Sequence, residues 1–335
     1  MVSTEMSKVP LTVALGNYDR HWPLFSGEVQ AEGIDLKAFP MTIEEIFWRQ
    51  AQFTDFDACE FAGASYIILR ARDANPFTAI PVFPSRSFRH NAVYVNANAG
   101  IEKPPDLKGK RMGVPEYEMT AMLWIRDFLQ KDYGVAPADM EWFTGGQRDR
   151  GRKPRVTYDL PGGVVVHPPE PDKTLDDMLD RGEIDALMAA RIPEPMVSGS
   201  PNIRRLFPNF REVESDYFRR TGLFPIMHAV VIRNDIIQKY PWIPMNLYWA
   251  FVRARDLAVD RLRDTIASAA TMPSTLAAVE EDLALMGHDF WPYGAESNRK
   301  HYGYLVSLTF EQGLAVREVP YEELYAPSCY DEFKI

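Results

Sequence analysis

Arginine, tyrosine and threonine side chains recur in this 335-residue chain directly after short apolar runs, where an α/β protein binds its ligands. The candidates for ligand binding are Arg20, Arg86, Arg89 and Arg191, with Tyr18 and Thr120 adding hydrogen bonds. A guanidinium pairs with a carboxylate through two parallel hydrogen bonds, so arginines gathered at such points predict an anionic ligand. Each arginine taken alone could instead form a salt bridge on the surface or between domains.

Two histidines are candidates for proton transfer. His90 and His228 each flank a strand-like run that links the two halves of the chain. Histidine has an ordinary pKa of about 6.5, which suits general acid catalysis near neutral pH. Glu60 or Glu116 would orient the histidine or act as a base on a phenol, although a carboxylate at a helix start also complements the helix dipole.

The sequence also allows a structural or a metal-binding role for these histidines. Either one could be a structural histidine whose hydrogen bonds are satisfied, and a His–Glu pair could instead hold a divalent metal. The other histidines have no comparable setting: His21, His167, His288 and His301.

The first part of the chain alternates between strands and helices. Apolar runs predict strands over Leu11–Leu15, Ile34–Phe39 and Phe56–Cys59. Thr42 and Glu45 have the spacing of a capping box, which predicts a helix between the second and third strands. This order favours a mostly parallel sheet.

The same order recurs after residue 110. The predicted strands are Arg111–Val114, Met140–Phe143, Val164–His167 and Ile184–Ala190. One predicted helix runs from Pro115 to about Tyr133 and ends at Gly134, and a second is capped by Thr174 with Asp177 and ends at Gly182. A polar segment over residues 144–163 is predicted to be an inserted loop.

Two further strands link the halves, and a helical tail follows. The links are Asn91–Val95 and His228–Arg233, and the tail helices are predicted over Pro241–Asp264, Thr275–Met286 and Ala295–Gln312. The sequence therefore predicts an α/β fold of two lobes with a cleft between them. Residues 1–92 with 230–335 would form lobe 1, and residues 93–229 would form lobe 2.

Composition excludes several classes of protein. With 47 acidic and 37 basic residues, a formal charge of -10 and a pI near 5.2, the chain lacks the basic footprint that nucleic-acid binding needs. No apolar stretch approaches the roughly 20 residues of a membrane helix, and the N-terminus lacks the apolar core of a signal peptide. We therefore expect a cytoplasmic protein with a small-molecule partner and no membrane partner. Cys59 and Cys329 are too few for a disulfide framework.

Familiar cofactor and nucleophile motifs are missing from the chain. It has no GxGxxG, no GxxxxGK[ST], no HExxH and no GxSxG. We expect no cofactor, with a divalent metal left open. Aromatic residues of the tail could form the interface of a homo-oligomer or pack the tail onto its lobe: Trp242, Tyr248, Trp249, Tyr302 and Tyr304.

Long strings spread over nearly the whole chain carry a family resemblance. They are ALGNYDR (14–20), IPVFPSRSFRHNAVYV (80–95), DLKGKRMGVPEYEMTA (106–121), IDALMAAR (184–191), RRTGLFPIMHAVVIR (219–233) and FWPYGAESNRK (290–300). They resemble the 4,5-dihydroxyphthalate decarboxylase family, which implies the fold of type II periplasmic solute-binding proteins. The resemblance also implies a carboxy-lyase that converts 4,5-dihydroxyphthalate to 3,4-dihydroxybenzoate (protocatechuate) and CO₂ in bacterial phthalate degradation. Departures that alter substrate choice are expected around Arg148–Arg155.

The implied reaction sets clear demands on the site. The ring carbon must gain a proton as its carboxylate leaves, while the hydroxyl para to it supplies electrons to the ring. The site must hold two carboxylates, stabilise charge on the phenolic oxygen and supply that proton, from His90 or His228. The alternative is a binding protein that captures an aromatic acid for a transporter. A ligand sensor has less support, because no DNA-binding or signalling module is attached.

Overall fold

The computed structural model describes residues 8–330 except 74, 151–155, 157, 159, 161 and 169. Its strands are β1 Val9–Leu15, β2 Ile34–Pro40, β3 Ala58–Ala62, β4 Phe77–Ile80, β5 Val93–Asn96, β6 Arg111–Val114, β7 Glu141–Thr144, β8 Val165–His167, β9 Ala186–Met188, β10 Ile203–Arg205 and β11 His228–Arg233. Its α-helices are α1 Trp22–Phe25, α2 Ile43–Phe53, α3 Gly63–Ala71, α4 Thr120–Tyr133, α5 Leu175–Asp180, α6 Glu194–Val197, α7 Phe210–Thr221, α8 Asn234–Lys239, α9 Ile243–Leu262, α10 Thr275–Met286 and α11 Arg299–Glu311.

These strands form two separate sheets. The first has the order β2-β1-β3-β11-β4, and the second has the order β10-β5-β9-β6-β7-β8. In the first sheet β1 is parallel to β2 and β3, whereas β11 is antiparallel to β3 and β4. In the second sheet β6 is parallel to β7 and β9, and β7 to β8, whereas β5 is antiparallel to β9 and β10. The predicted α/β class with mostly parallel sheets is confirmed, since a single strand of each sheet, as described, runs against the rest.

The two reversed strands are the links between the halves. β5 takes the chain into the second sheet, and β11 returns it to the first, over the range predicted from the sequence. We call the first sheet with its helices lobe 1 and the second lobe 2. His228 and Ala229 pair with Ala62 and Phe61 of β3, which places them in the first sheet, just before the predicted boundary. We propose that the lobes divide near residues 92 and 228.

The start of α4 differs from the prediction. The helix begins at Thr120 rather than at Pro115, and residues 115–119 form a turn. The reason is packing: Tyr117 lies edge-on to Trp142 at 5.2 Å, and the guanidinium of Arg126 covers its ring at 3.9 Å. An aromatic side chain held this way draws the turn into the core of lobe 2, and the helix starts only after it.

Helix caps follow the sequence in part. Thr174 caps α5 as predicted, and its hydroxyl accepts a hydrogen bond from the Asp177 amide at 3.2 Å. Thr42 occupies the N-cap of α2, but its side chain makes no capping hydrogen bond. Gly134 ends α4 with φ of 66°, a conformation that favours glycine.

The helical tail packs mainly onto lobe 1. Tyr302 and Tyr248 are buried there, which favours tail packing for these aromatics, whereas Trp242 and Trp249 are 39% and 37% exposed. Cys59 and Cys329 are both buried cysteines. Within the described range, no helix combines the length and the apolar character needed to cross a bilayer. The predicted insert over residues 144–163, with Arg148–Arg155, lies partly outside the described residues.

Candidate active site

A fully buried carboxylate, Glu60, stands at the centre of the site on β3. Its Oε2 accepts a hydrogen bond from the Gly16 amide at 2.9 Å. Its Oε1 accepts one from the Tyr18 hydroxyl at 3.0 Å and lies 2.6 Å from Nδ1 of His228. Burial opposes ionisation of Glu60, but the hydrogen bond and charge of His228 and the hydrogen bond from the Gly16 amide outweigh it and hold the pKa of this carboxyl below its ordinary value. Glu60 is therefore an ionised, fully hydrogen-bonded group.

His228, like Tyr18, is only partly buried, so a ligand can reach it. It opens β11, its ring meets Phe47 edge-on at 4.8 Å, and its side chain is 15% exposed whereas that of Glu60 is fully buried. Because an ionised carboxylate only accepts, Nδ1 of His228 carries the proton toward Glu60. Nε2 is left as the nitrogen that can exchange a proton with a ligand. The sequence-predicted pair of His228 with Glu60 is therefore brought together.

Gly16 ends β1 at a point where only a glycine fits. A Cβ built there would lie 2.6 Å from the Tyr18 ring, 2.7 Å from the side chain of Ile43 and 3.0 Å from Oε2 of Glu60. The missing side chain lets the backbone amide reach the carboxylate directly.

Replacing Gly16 by alanine is expected to displace Glu60 or Tyr18. We expect a loss of about 1–3 kcal/mol in the free energy of unfolding, typical of overpacking, together with a lower kcat. Urea denaturation and steady-state kinetics measure the two effects. Gly303→Ala is the matched control, because a Cβ at that position meets only the Tyr321 ring at 3.8 Å. Equal behaviour of the two variants would contradict the role of Gly16.

His21 also belongs to this network, although no sequence pattern pointed to it. It is fully buried, and its Nδ1 lies 2.9 Å from the carbonyl oxygen of Gly16. A carbonyl only accepts, so Nδ1 must be the protonated nitrogen. Burial lowers the pKa of His21 to about 4, and the ring is neutral at neutral pH. His21 thus holds the loop whose amide binds Glu60.

The arginines near this cluster differ in how far their charges are compensated. The Arg20 guanidinium lies between the rings of Tyr18 and Trp291, 4.2 Å from each centre, and its Nε donates to the Pro84 carbonyl at 2.7 Å. Arg20 also pairs with Asp19 at 3.1 Å. Arg20 therefore connects Tyr18, Pro84 and Trp291, which form the walls of the site.

Arg89 is partly exposed and has weaker partners. Its Nε lies 3.4 Å from the sulfur of Met227, and among the described residues no acidic side chain lies within ion-pair distance of it. Burial lowers the pKa of Arg89 to about 10, partly offset by Tyr18, Glu214 and Tyr94 nearby. A desolvated guanidinium that forms no ion pair is a fitting partner for an anionic ligand.

Two other predicted ligand residues connect the lobes. The Thr120 hydroxyl accepts a hydrogen bond from the Ala64 amide at 3.0 Å, which ties the start of α4 to the start of α3. Arg191 is exposed and pairs with Glu44 of α2 at 2.8 Å. Arg191 therefore forms a salt bridge, which is the alternative to ligand binding for this residue. Arg86 is buried in lobe 1.

The structure does not bring His90 to Glu60. Its ring stacks on Phe128 at 4.0 Å and packs against Phe207 and Tyr217. Burial lowers its pKa to about 4. Glu116 is buried in lobe 2, in the turn before α4. His90 therefore has the setting of a core histidine.

No group of three or more His, Cys, Asp and Glu side chains in the described part of the chain could hold a metal ion. His228 and Glu60 supply only two such side chains. The site as described is one of hydrogen bonds, a histidine and arginines.

Comparison with known proteins places the chain in a family. No protein-family model matches it. It is 40% identical over 331 residues to the 4,5-dihydroxyphthalate decarboxylase of Comamonas testosteroni, covering 98% of this chain and 100% of that protein. The chain belongs to the 4,5-dihydroxyphthalate decarboxylase family. The 4,5-dihydroxyphthalate decarboxylase of Pseudomonas putida is 41% identical over 214 residues, which cover 64% of this chain and 83% of that protein.

Solved structures agree on the fold of this decarboxylase-family chain. The periplasmic aliphatic sulphonate binding protein SsuA of Escherichia coli superposes with a TM-score of 0.55 at 12% identity, over 97% of this chain and 99% of that chain. The resemblance drawn from the sequence strings and the periplasmic-binding-protein-like fold are both confirmed.

Sequence reasoning missed several members of the site in this decarboxylase-family chain. Gly16, His21 and Trp291 all contact the Glu60 cluster or its walls. A signal was present for two of them, since Gly16 lies in ALGNYDR and Trp291 in FWPYGAESNRK. Only the packing of the tail onto lobe 1 brings those two strings together.

Proposed function

We propose that this protein is a carboxy-lyase that converts 4,5-dihydroxyphthalate to 3,4-dihydroxybenzoate and CO₂ without a redox step. The observation that carries the proposal is the Tyr18–Glu60–His228 cluster in a chain 40% identical to a relative of that name. A positioned acid beside a desolvated arginine meets the demands of this reaction.

His228 is the proposed general acid. Glu60 holds Nδ1, so the protonated Nε2 can deliver its proton to the ring carbon that bears the departing carboxylate. Electrons from the para phenolic oxygen flow into the ring as that bond forms, and the phenol releases its proton. The carbon–carboxylate bond then breaks, its electron pair restores the aromatic ring, CO₂ leaves and the phenol regains a proton. The net reaction takes up one proton, which returns to His228 from solvent.

Glu60 and Tyr18 support this transfer in the proposed site. The ionised carboxylate fixes the tautomer of His228 and stabilises the imidazolium form that donates. Tyr18 fills a further hydrogen-bonding position of the same carboxylate oxygen. Arg89 would attract the anionic substrate, with Arg20 and Thr120 shaping the walls. His90 and Glu116, the other sequence candidates, have no part in the proposed transfer.

Replacing Arg89 by methionine tests the anion site. We expect the KM for 4,5-dihydroxyphthalate to rise about 10- to 100-fold. This is the change in affinity expected from the loss of one charge-assisted hydrogen bond or of a pair of them. Arg191→Met is the matched control, and we expect it to change KM by less than about fivefold, because an exposed ion pair contributes little. An equal rise in both variants would contradict the assignment of Arg89.

The assay that tests the proposed function uses chelator-treated protein and 4,5-dihydroxyphthalate. CO₂ release and the aromatic product are followed by chromatography, and we expect protocatechuate. Turnover only after a divalent ion is added would make the His228–Glu60 pair a metal-binding pair instead. Tight binding without turnover under both conditions would favour the alternative of a binding protein for an aromatic carboxylate.

We also propose a cytoplasmic location and a homo-oligomeric state. A decarboxylase of aromatic breakdown acts in the compartment in which its substrate is formed and its product is consumed. Cell fractionation measures the location. The exposed Trp22, Trp242 and Trp249 support a subunit interface. Sedimentation equilibrium measures the mass, and a monomer at micromolar concentration would contradict this part of the proposal.

A further inference from the structure

Arginines of lobe 1 converge on one short segment of the tail, residues 291–293. The Arg20 guanidinium lies 4.2 Å from the centre of the Trp291 ring, within the wall of the active site. The Arg86 Nη2 donates to the Pro292 carbonyl at 2.9 Å. The segment thus brings the active-site wall and Arg86 together.

Arg255 reaches the same segment. Its guanidinium lies 5.2 Å from the centre of the Tyr293 ring, and its Nη1 donates to the Trp291 carbonyl at 3.0 Å. Asp256 pairs with Arg255 at 2.6 Å, so this charge is compensated.

The charge of Arg86 has no such counterpart. Arg86 is 5% exposed, and in the part of the chain that the structure describes no acidic side chain lies within ion-pair distance of it. Its Nη2 also donates to the Asn298 side chain, but its Nε and Nη1 are buried without a hydrogen-bond partner. Burial lowers its pKa to about 9, so it stays charged at neutral pH. A buried cation with unpaired donors is unfavourable unless an anion joins it.

The hydroxyl of Tyr293 is a second unpaired donor in the same segment. Tyr293 is 5% exposed, and its hydroxyl is buried with no hydrogen-bond partner among the described residues. Tyr293 directly follows Pro292, whose carbonyl accepts the hydrogen bond from Arg86. Burial raises the pKa of Tyr293 to about 12, and the charges that act on it are those of Arg20, Arg255, Arg86 and Glu60. The phenol is therefore protonated and able to donate.

We propose that Arg86 and Tyr293 form a carboxylate subsite that holds the carboxylate which the reaction leaves in place. This inference rests on the proposed function, and it adds the residues that hold one of the two adjacent carboxylates of the substrate. One carboxylate satisfies the Nε and Nη1 donors of Arg86 and the hydroxyl of Tyr293. The second, departing carboxylate is then directed to the region of His228. Tyr293 is a specificity-determining residue. It lies in the string FWPYGAESNRK, but it does not follow a predicted strand and was therefore not among the predicted ligand residues.

Calorimetric binding of 3,4-dihydroxybenzoate and catechol tests the subsite without any turnover. The ligands differ by the one carboxylate that the subsite would hold, and we expect the wild-type protein to bind 3,4-dihydroxybenzoate at least about tenfold more tightly. Tyr293→Phe removes only an unpaired hydroxyl, so the fold should be retained. It should lower 3,4-dihydroxybenzoate affinity about tenfold and leave catechol affinity unchanged.

Tyr302→Phe is the matched control for this substitution. Tyr302 is also fully buried with an unpaired hydroxyl, but its ionisable neighbours are the tyrosines 66, 321 and 330 rather than arginines. We expect its ratio of 3,4-dihydroxybenzoate affinity to catechol affinity to equal that of the wild type. Arg86→Lys should lower the ratio too, with circular dichroism to check its fold.

The outcomes separate this inference from the proposed function. An unchanged ratio in Tyr293→Phe overturns the subsite, even if the wild type decarboxylates 4,5-dihydroxyphthalate. A ratio that falls in Tyr293→Phe but not in Tyr302→Phe supports the subsite. If the wild type then shows no decarboxylation, only the proposed reaction fails, and the protein binds aromatic carboxylates.

Discussion

Replacing His228 by asparagine is expected to lower kcat for 4,5-dihydroxyphthalate by about 10²–10⁴, the contribution of a positioned general acid. Asparagine can still donate a hydrogen bond to Glu60 from its amide, so the buried carboxylate keeps a partner. It cannot protonate a ring carbon. The KM should change much less than kcat, because the arginines that attract the substrate are untouched. Stopped assays of protocatechuate formation measure both constants.

His90→Phe is the matched control for His228→Asn. The His90 ring stacks on Phe128, and both its nitrogens are buried without a hydrogen-bond partner in the described part of the chain. Phenylalanine should therefore fill the same space, and we expect kcat to stay within about threefold of the wild type, as for an apolar exchange of similar shape. A large loss in His90→Phe with normal turnover in His228→Asn would reverse the assignment of the acid.

Replacing Glu60 by glutamine is expected to lower kcat by about 10²–10⁴ as well, through His228 rather than through the substrate. A neutral amide does not stabilise the imidazolium, and its NH₂ group can face Nδ1 and favour the opposite tautomer. Glu60 is thus a positioning residue. The pH–rate profile should change together with kcat, which a purely structural role would not cause.

Asp57→Asn is the control for this second prediction. Asp57 precedes the same strand and accepts hydrogen bonds from the Thr12 amide at 2.9 Å and the Thr12 hydroxyl at 2.7 Å. It is a carboxylate of the same sheet outside the site, and we expect kcat to change by less than about threefold, since an effect on stability alone leaves the folded enzyme active. Similar losses of kcat in Asp57→Asn and Glu60→Gln would contradict the positioning role of Glu60.

The pH dependence of stability gives Glu60→Gln a second readout. The pKa of Glu60 is lower in the folded protein than its ordinary value. Its contribution to stability is therefore present above the unfolded pKa of about 4.3 and is lost as the pH falls through the folded pKa. The free energy of unfolding should fall more steeply below that pH in the wild type than in Glu60→Gln. Urea unfolding at a series of pH values measures the difference.

Local patterns in the sequence were enough to predict most elements and the fold class. The range of β11 and the ends of α10 agree with the prediction, because short apolar runs and helix signals are local properties of the chain. The same reasoning placed α4 five residues too early, since Pro115 is a good helix start but Tyr117 packs against Trp142 instead. Packing between distant segments overrides such local signals.

The candidate site, too, could be predicted from the sequence only in part. The residue types at strand ends, the two histidines and the arginines could be selected from the sequence, since carboxyl ends of parallel strands meet at one edge. The choice between the histidines could not. His90 and His228 have equivalent places in the chain, and only the antiparallel pairing of β11 with β3 sets His228 beside Glu60.

The class of this protein, its family and a set of candidate polar residues can all be read from the sequence, because these depend on composition, periodicity and strings of neighbouring residues. The tertiary structure alone decided which members of that set act together. Gly16 binds Glu60 across 44 positions of the chain, and Arg86 binds Asn298 across 212. Such contacts depend on how lobe 1 folds and how the tail packs onto it, and no local pattern encodes the distance between two side chains so far apart.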